Sequence, residues 1–223
     1  MYEPLRIRAY LQTGIISDQF LPLDGVLYYH KVRDEMGEEV ITKPLESSVR
    51  EYQHISLPFT LKMKDSEAHF YSCSFAVWSK DMVEDQQTYS KRFDLKYSDM
   101  IDFGKKIGKI ETARGRYKMY HIKVYYRTAT YVEWYAHGWK DDIEKLLKFV
   151  THLGKKTSQG WGAVLKWEVE SWKEDWSVRG FEDNRLMRAV PVKGDGFLYG
   201  VRPSYWNPKH QFPCKMPEIK GAY

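Results

Sequence analysis

The order of elements legible in this sequence predicts an α+β fold, a ferredoxin-like unit with insertions. Three observations predict it: a period-two apolar segment opens the chain, one strongly amphipathic helix begins at about Lys140, and a glycine-punctuated loop leads from that helix back into strand pattern. The chain has 223 residues, and at about 150 residues to a domain one elaborated domain is expected. Its expected parts are a core over residues 1–170 with a basic, thumb-like β-hairpin insertion around 79–127, and an irregular C-terminal extension over 171–223 packed on that core.

In the first segment Leu5, Ile7, Ala9 and Leu11 alternate with polar residues and share one face, the pattern of a half-buried strand. After Pro22, Asp24 is placed to cap a helix running to Met36, with Gly37 as the stop and Leu27 and Val32 facing inward. Residues 38–66 carry Pro44 and Pro58 without sustained periodicity and read as loop with short strands. The stretch from Ala68 to Trp78 is rich in aromatic and β-branched residues and reads as a strand. The runs Tyr117 to Arg127 and Tyr131 to His137, joined by a short polar turn, read as a hairpin.

The second helix extends from about Lys140 to His152: Ile143, Leu146, Leu147 and Val150 stand at i, i+3, i+4 and i+7, and Asp141, Asp142 and Glu144 occupy its first turn. It ends at Gly154, and strand pattern resumes through Ala163, Leu165, Trp167 and Val169. The proline-punctuated last fifty or so residues, with Pro191, Pro203, Pro208, Pro213 and Pro217, read as a packed but irregular extension.

Composition narrows the classes. The two cysteines, Cys73 and Cys214, match no zinc or CxxC spacing and are too few for a secreted disulfide framework, so a reducing cytoplasm is expected and structural zinc or iron–sulfur clusters are not. Arg6 and Arg8 interrupt the start where a signal peptide needs an apolar stretch, and nowhere do eighteen apolar residues run together. No membrane association is expected. The net charge of +5 is mild, so its distribution is what matters. Aromatic residues make up 16% of the chain, an excess that serves either a core or a stacking surface for bases.

The charge is concentrated. Lys105, Lys106, Lys109, Arg114, Arg116, Lys118, Lys123 and Arg127 are opposed within that span only by Glu111, and Tyr117, Tyr120, Tyr125 and Tyr126 are interleaved with them. Cations that neutralise phosphates beside flat faces for unstacked bases form the combination expected of single-stranded nucleic-acid binding. The plainer alternative is a solvated basic hairpin. The loop Gly154-Lys155-Lys156-Thr157-Ser158-Gln159-Gly160-Trp161-Gly162 lets the backbone approach a ligand while its side chains offer donors to phosphate oxygens. It follows a helix and opens a strand, the reverse of a Walker loop's context, and neither that motif nor the dinucleotide fingerprint applies. An ordinary capped turn between helix and strand remains its alternative.

Catalytic signals are sparse. His30, beside Tyr28 and Tyr29 on the first helix, has the chemistry of a general base toward a ribose hydroxyl, although a lone helical histidine is more often a half-buried structural residue. His69, His121 and His137 have no metal-ligand spacing, so no metal and no cofactor is expected. No Ser or Cys sits in a nucleophile elbow.

The helix leading into Thr151-His152-Leu153-Gly154 and the glycine loop that follows resemble the glycine-rich loop of the RAMP superfamily, the RNA-binding proteins of CRISPR effector complexes. Within it the chain looks most like the Cas-five-type subunit of type IV systems, the Csf-three type. The resemblance extends to Leu23-Asp24-Gly25, Lys91-Arg92-Phe93, the segment from Arg114 to Lys118, that from Met187 to Val192, and that from Gly200 to Trp206. It departs from relatives at Gln159 and Trp161, where basic or smaller aromatic residues are common.

What the resemblance implies is a non-catalytic RAMP core that binds the 5′ handle of a guide RNA (crRNA), caps one end of a filament of Cas-seven-like backbone subunits, and meets a Cas-eight-like large subunit in RNA-guided DNA targeting. Gly154, Lys155, Lys156, Thr157, Ser158, Gln159, Gly160, Trp161 and Gly162 then hold RNA. Arg114, Arg116, Lys118, Lys105, Lys106 and Lys109 extend the cationic track along RNA or toward target DNA, Lys91 and Arg92 support it, and Tyr120 and Trp161 stack on bases. Two alternatives stay open: a metal-independent endoribonuclease acting on repeat RNA with His30 as base, and a basic protein-interaction module that binds no nucleic acid.

Overall fold

The computed structural model describes residues 2–36, 63–64, 68–102, 104, 110–181 and 183–218. Strand β1 (Glu3–Leu11) is followed by helix α1 (Leu23–Met36), then by β2 (Met63–Lys64), β3 (Phe70–Tyr71), β4 (Val77–Trp78) and β5 (Val83–Lys91). Next come β6 (Tyr120–Thr128), β7 (Tyr131–Gly138), helix α2 (Lys140–Leu147) and β8 (Val164–Ser171). The C-terminal part adds β9 (Arg179–Gly180), β10 (Arg185–Leu186), β11 (Val190–Pro191), β12 (Phe197–Gly200) and β13 (Gln211–Lys215). The class is α+β, as predicted.

The central sheet runs β4-β7-β1-β8, each neighbouring pair antiparallel. The period-two pattern of β1 is obeyed: Leu5, Ile7 and Ala9 are buried, and opposite Ile7 and Ala9 on β7 stand Trp134 and Val132. This face is covered by both helices, since Leu23 and Leu27 of α1 and Ile143, Leu146 and Leu147 of α2 enter the same core cluster. Each apolar stripe therefore removes its area from water against one sheet face, the dominant stabilising term here. The α2 helix is shorter than its periodicity predicts. It ends at Leu147, and tighter bonds from Phe149 N–H to Leu146 O and from Val150 N–H to Leu147 O carry Val150 into the core regardless.

Three local expectations are corrected. The segment after residue 117 does not pair with β7: β6 pairs with β5, and β7 pairs with β1 and β4. Burial decides this, because β7 is buried along most of its length in a central position whereas β6, with His121, Lys123 and Arg127 among its residues, is largely exposed. The stretch from Ala68 to Trp78 is not one strand. It breaks between β3 and β4, where Ser74 N–H donates to Tyr135 O, Phe75 N–H to Met187 O and Ala76 N–H to Leu21 O. Each bond reaches a different element, so no single ladder continues. Asp24 lies inside the first turn of α1 and is fully buried, instead of capping the helix from outside. Gly37 and nearly all of the 38–66 region fall outside the described residues.

The C-terminal part has its own sheet, β11-β13-β12, and a second core cluster of Phe70, Phe75, Ala189, Val201 and Cys214. It is joined to the first by Arg188, whose buried guanidinium donates to the carbonyls of Cys73 at 2.9 Å and Val201 at 2.7 Å and to that of Tyr71. Arg188 also lies 3.8 Å from the Asp24 carboxylate, to which the Tyr205 hydroxyl donates at 2.5 Å. Burial holds the Asp24 carboxyl above its ordinary value, because desolvation outweighs Arg188, Tyr205 and the Gly25 amide. No helix among the described residues is long and apolar enough to cross a membrane.

Candidate functional site

Strands β5 and β6 form a two-stranded arm inserted between β4 and β7, in register from Val83 opposite Thr128 to Lys91 opposite Tyr120. Cross-strand partners share a face, so Tyr89, Lys91, Tyr120, Ile122 and Tyr126 project to one side and Ser90, His121, Lys123, Tyr125 and Arg127 to the other. Such a ribbon is marginal in water unless something holds it. Its base is fixed by Arg127 and Ile15, which exchange backbone hydrogen bonds of 2.8 and 2.9 Å, and by the Arg127 guanidinium, which pairs with Glu84 at 2.6 Å and lies 5.5 Å over Trp78.

The glycine loop is the arm's second anchor. Its ends are backbone-packed: a Cβ at Gly162 would stand 1.8 Å from Leu153 O, and one at Gly154 2.4 Å from Ile16 O, both at positive φ. Only glycine fits those two positions. Between them a short 3-10 turn over Thr157–Gln159 is flanked by left-handed Lys156 and Gly160, and Lys155, Lys156, Thr157, Ser158, Gln159 and Gly160 are all exposed. Thr13 Oγ1 donates to Gly160 O at 2.8 Å and accepts from Ala163 N–H at 2.9 Å, which fixes the loop to the end of β1.

The loop meets the arm on its tyrosine side. The Trp161 indole N–H donates to the Tyr89 hydroxyl at 2.7 Å, its ring packs on Tyr126 with centroids 4.7 Å apart, and Lys156 Nζ lies 3.9 Å over the Tyr89 ring. Trp161 is half-buried in this contact. Lys155 lies 3.5 Å from Asp18, whose backbone carbonyl accepts from Arg127 of the arm at 3.3 Å.

Along the arm, Arg92, Arg116, Lys118 and Lys123 are exposed and have no ion-pair partner among the described residues. Arg114 pairs with Glu111 at 2.5 Å and Lys91 Nζ donates to Arg116 O at 2.6 Å, so these two cations are already partly engaged. Tyr120 is 43% exposed at the distal end of the tyrosine side. Lys105, Lys106 and Lys109 lie outside the described residues.

The face of the central sheet turned away from the helices is a contrast. Arg6 pairs with Glu170, Arg8 with Glu133 at 2.8 Å and Lys166 with Glu168 at 2.5 Å, while Arg6 stacks on Trp172 and Arg8 on Tyr131. Each basic group there has its own carboxylate, and Trp172 and Trp176 pack over Tyr135 at one end. A polyanion would have to displace those carboxylates, whereas on the arm it finds uncompensated cations.

Sequence reasoning named the loop and the basic run. It missed Tyr89 and Asp18, because a tyrosine inside a polar strand and an aspartate in a loop carry no spacing signal. Among the candidate catalytic groups, His30 is half-buried on α1, His121 bonds to Ser90 at 2.7 Å, and His137 pairs with Asp175 at 3.0 Å. No group of three or more His, Cys, Asp or Glu among the described residues is placed to hold a metal ion.

The site is thus a central sheet with an exposed arm of cations and tyrosines docked on a glycine loop. The family model of the CRISPR type IV associated protein Csf3 matches residues 3–217, so the chain belongs to that family. No curated protein matches it significantly in sequence.

Proposed function

We propose that this chain is the non-catalytic guide-RNA-binding subunit of a type IV CRISPR ribonucleoprotein, holding the 5′-handle end of a single strand between the tyrosine side of the arm and the glycine loop. The observation that carries the proposal is the coupling of loop to arm through Trp161, Tyr89, Tyr126 and Lys156, with unpaired cations beyond it. Phosphates would lie on Lys155, Lys156 and the exposed donors of Thr157, Ser158 and Gln159. Arg116, Lys118 and Lys91 would follow the backbone outward, and Tyr120 would offer a stacking face.

The core supports the same reading. Counting only the strands of the central sheet, its order is 4-1-3-2 with a helix after the first and third strands, the order of a ferredoxin-like unit and of the RAMP core. Capping of a filament of backbone subunits, contact with a large subunit and passage of target DNA along the arm belong to this proposal as well.

Binding across a salt titration tests it, with the repeat-derived 5′ handle compared against a scrambled strand of equal length, in EDTA. Handle-preferring binding without cleavage supports the reading. A discrete product with a cyclic phosphate end would replace it by the endoribonuclease, and no binding to either strand would replace it by a protein-interaction module.

A further inference from the structure

Beside the glycine loop, a concavity of about 450 Å³ opens between the C-terminal half of α1 and the chain leaving α2. We infer that it is a nucleotide subsite, taking one ribonucleotide unit of a single strand whose neighbouring phosphate lies on the loop. The inference rests on the proposed RNA-binding function and adds a site to it.

The lining offers polar groups suited to a phosphate or a ribose hydroxyl. Arg33, His30 and His152 line this space, and among the described residues no carboxylate does. An anionic phosphate or a ribose hydroxyl meets two imidazoles there as hydrogen-bonding groups, with the Arg33 guanidinium beside them. His152 is held in place from both sides. It bridges to Ala163 across the loop's base, and its Nδ1 is hydrogen-bonded to Thr151 Oγ1 at 3.0 Å, which leaves Nε2 for the cavity. His30 is kept below its ordinary pKa by desolvation and by Arg33, and a neutral imidazole both donates and accepts, which suits a base edge or a 2′-hydroxyl.

The rim states its shape. Tyr29 and Phe149 line the opening and are 46% and 61% exposed, two flat rings left in water at a concave site. Stacking of an unpaired base covers such rings without regard to sequence. The cavity also reaches Gly154 and Thr157, the start of the loop and of its 3-10 turn. A strand whose phosphate rests on the loop therefore has its adjoining nucleotide at the mouth of this space, and the volume is in the range of small-ligand sites.

The experiment uses the whole chain and short single-stranded oligoribonucleotides carrying 4-thiouridine at successive positions, with cross-linked peptides mapped by mass spectrometry. Affinities of Phe149→Ala and of the His30→Ala/His152→Ala double variant are measured alongside Lys155→Ala/Lys156→Ala. Phe149 is exposed, so its replacement does not threaten folding. Cross-links to residues 29–33 or 149–152, with a loss of about five- to a hundredfold in affinity for Phe149→Ala, are expected. Cross-links confined to the arm and the loop, with unchanged affinity in both cavity variants but weakened binding in the lysine variant, would overturn the subsite and leave RNA binding standing. No binding by the unsubstituted chain would overturn both.

Discussion

The Trp161 indole N–H is 2.7 Å from the Tyr89 hydroxyl, a hydrogen bond that joins residues 72 positions apart and ties the glycine loop to the arm. Replacing Trp161 by Phe keeps a ring against Tyr126 and removes that bond, at a cost of about 1 kcal/mol. Trp161→Ala removes both. We expect amide hydrogen exchange in β5 and β6 to accelerate in Trp161→Ala while the central sheet keeps its protection. Equal acceleration throughout would mean that Trp161 stabilises the whole fold and does not fasten the arm.

Lys155 and Lys156 differ in surroundings, one beside Asp18 and the other over Tyr89. Together they are expected to account for two phosphate contacts. The Lys155→Ala/Lys156→Ala variant should lower the slope of log affinity against log salt by about 1.4, at roughly 0.7 per phosphate for a single strand. A slope that does not change removes the loop from the interface.

The loop's glycines are not equivalent. Gly162→Ala would drive a Cβ into Leu153 O, and its cost should be on the order of 3 kcal/mol or more. Gly160 also has positive φ but open space around it, so Gly160→Ala should cost only about 1 to 2 kcal/mol. Urea denaturation of the two variants checks the order.

Asp24 supplies a pH dependence. Its folded-state pKa is raised by burial, so its contribution to stability is fully present below the unfolded carboxylate value and is lost as pH rises toward the folded one. Unfolding free energies measured upward from about pH 4 should therefore fall more for the native chain than for Asp24→Asn. Parallel curves would show that Arg188 fully offsets the desolvation. Arg188→Met, which strands the carboxylate, should cost about 3 to 5 kcal/mol.

Both cysteines are free and buried, and burial pushes the Cys73 thiol up to about 12 and the Cys214 thiol to about 11. Thiolate is the reactive form. A thiol reagent at neutral pH is expected to label neither in the folded chain and both in urea, and rapid labelling of Cys214 in the native state would show that β13 opens.

The sequence by itself determined what local pattern and chain connectivity can carry. Alternation in β1, the i, i+3, i+4, i+7 stripe of α2 and the glycines around Lys155 and Lys156 are properties of a few neighbouring residues, and they fixed the fold class, the family resemblance and the loop. Tertiary structure decided what depends on partners far along the chain. Whether β6 joins β7 or β5 turns on which strand can be buried, and whether Asp24 caps a helix or faces Arg188 turns on a residue 164 positions away. The pairing of Trp161 with Tyr89, the self-neutralised sheet face and the meeting of His30 with His152 at one cavity follow from chain paths that bring distant side chains together, and no periodicity in the sequence encodes those distances.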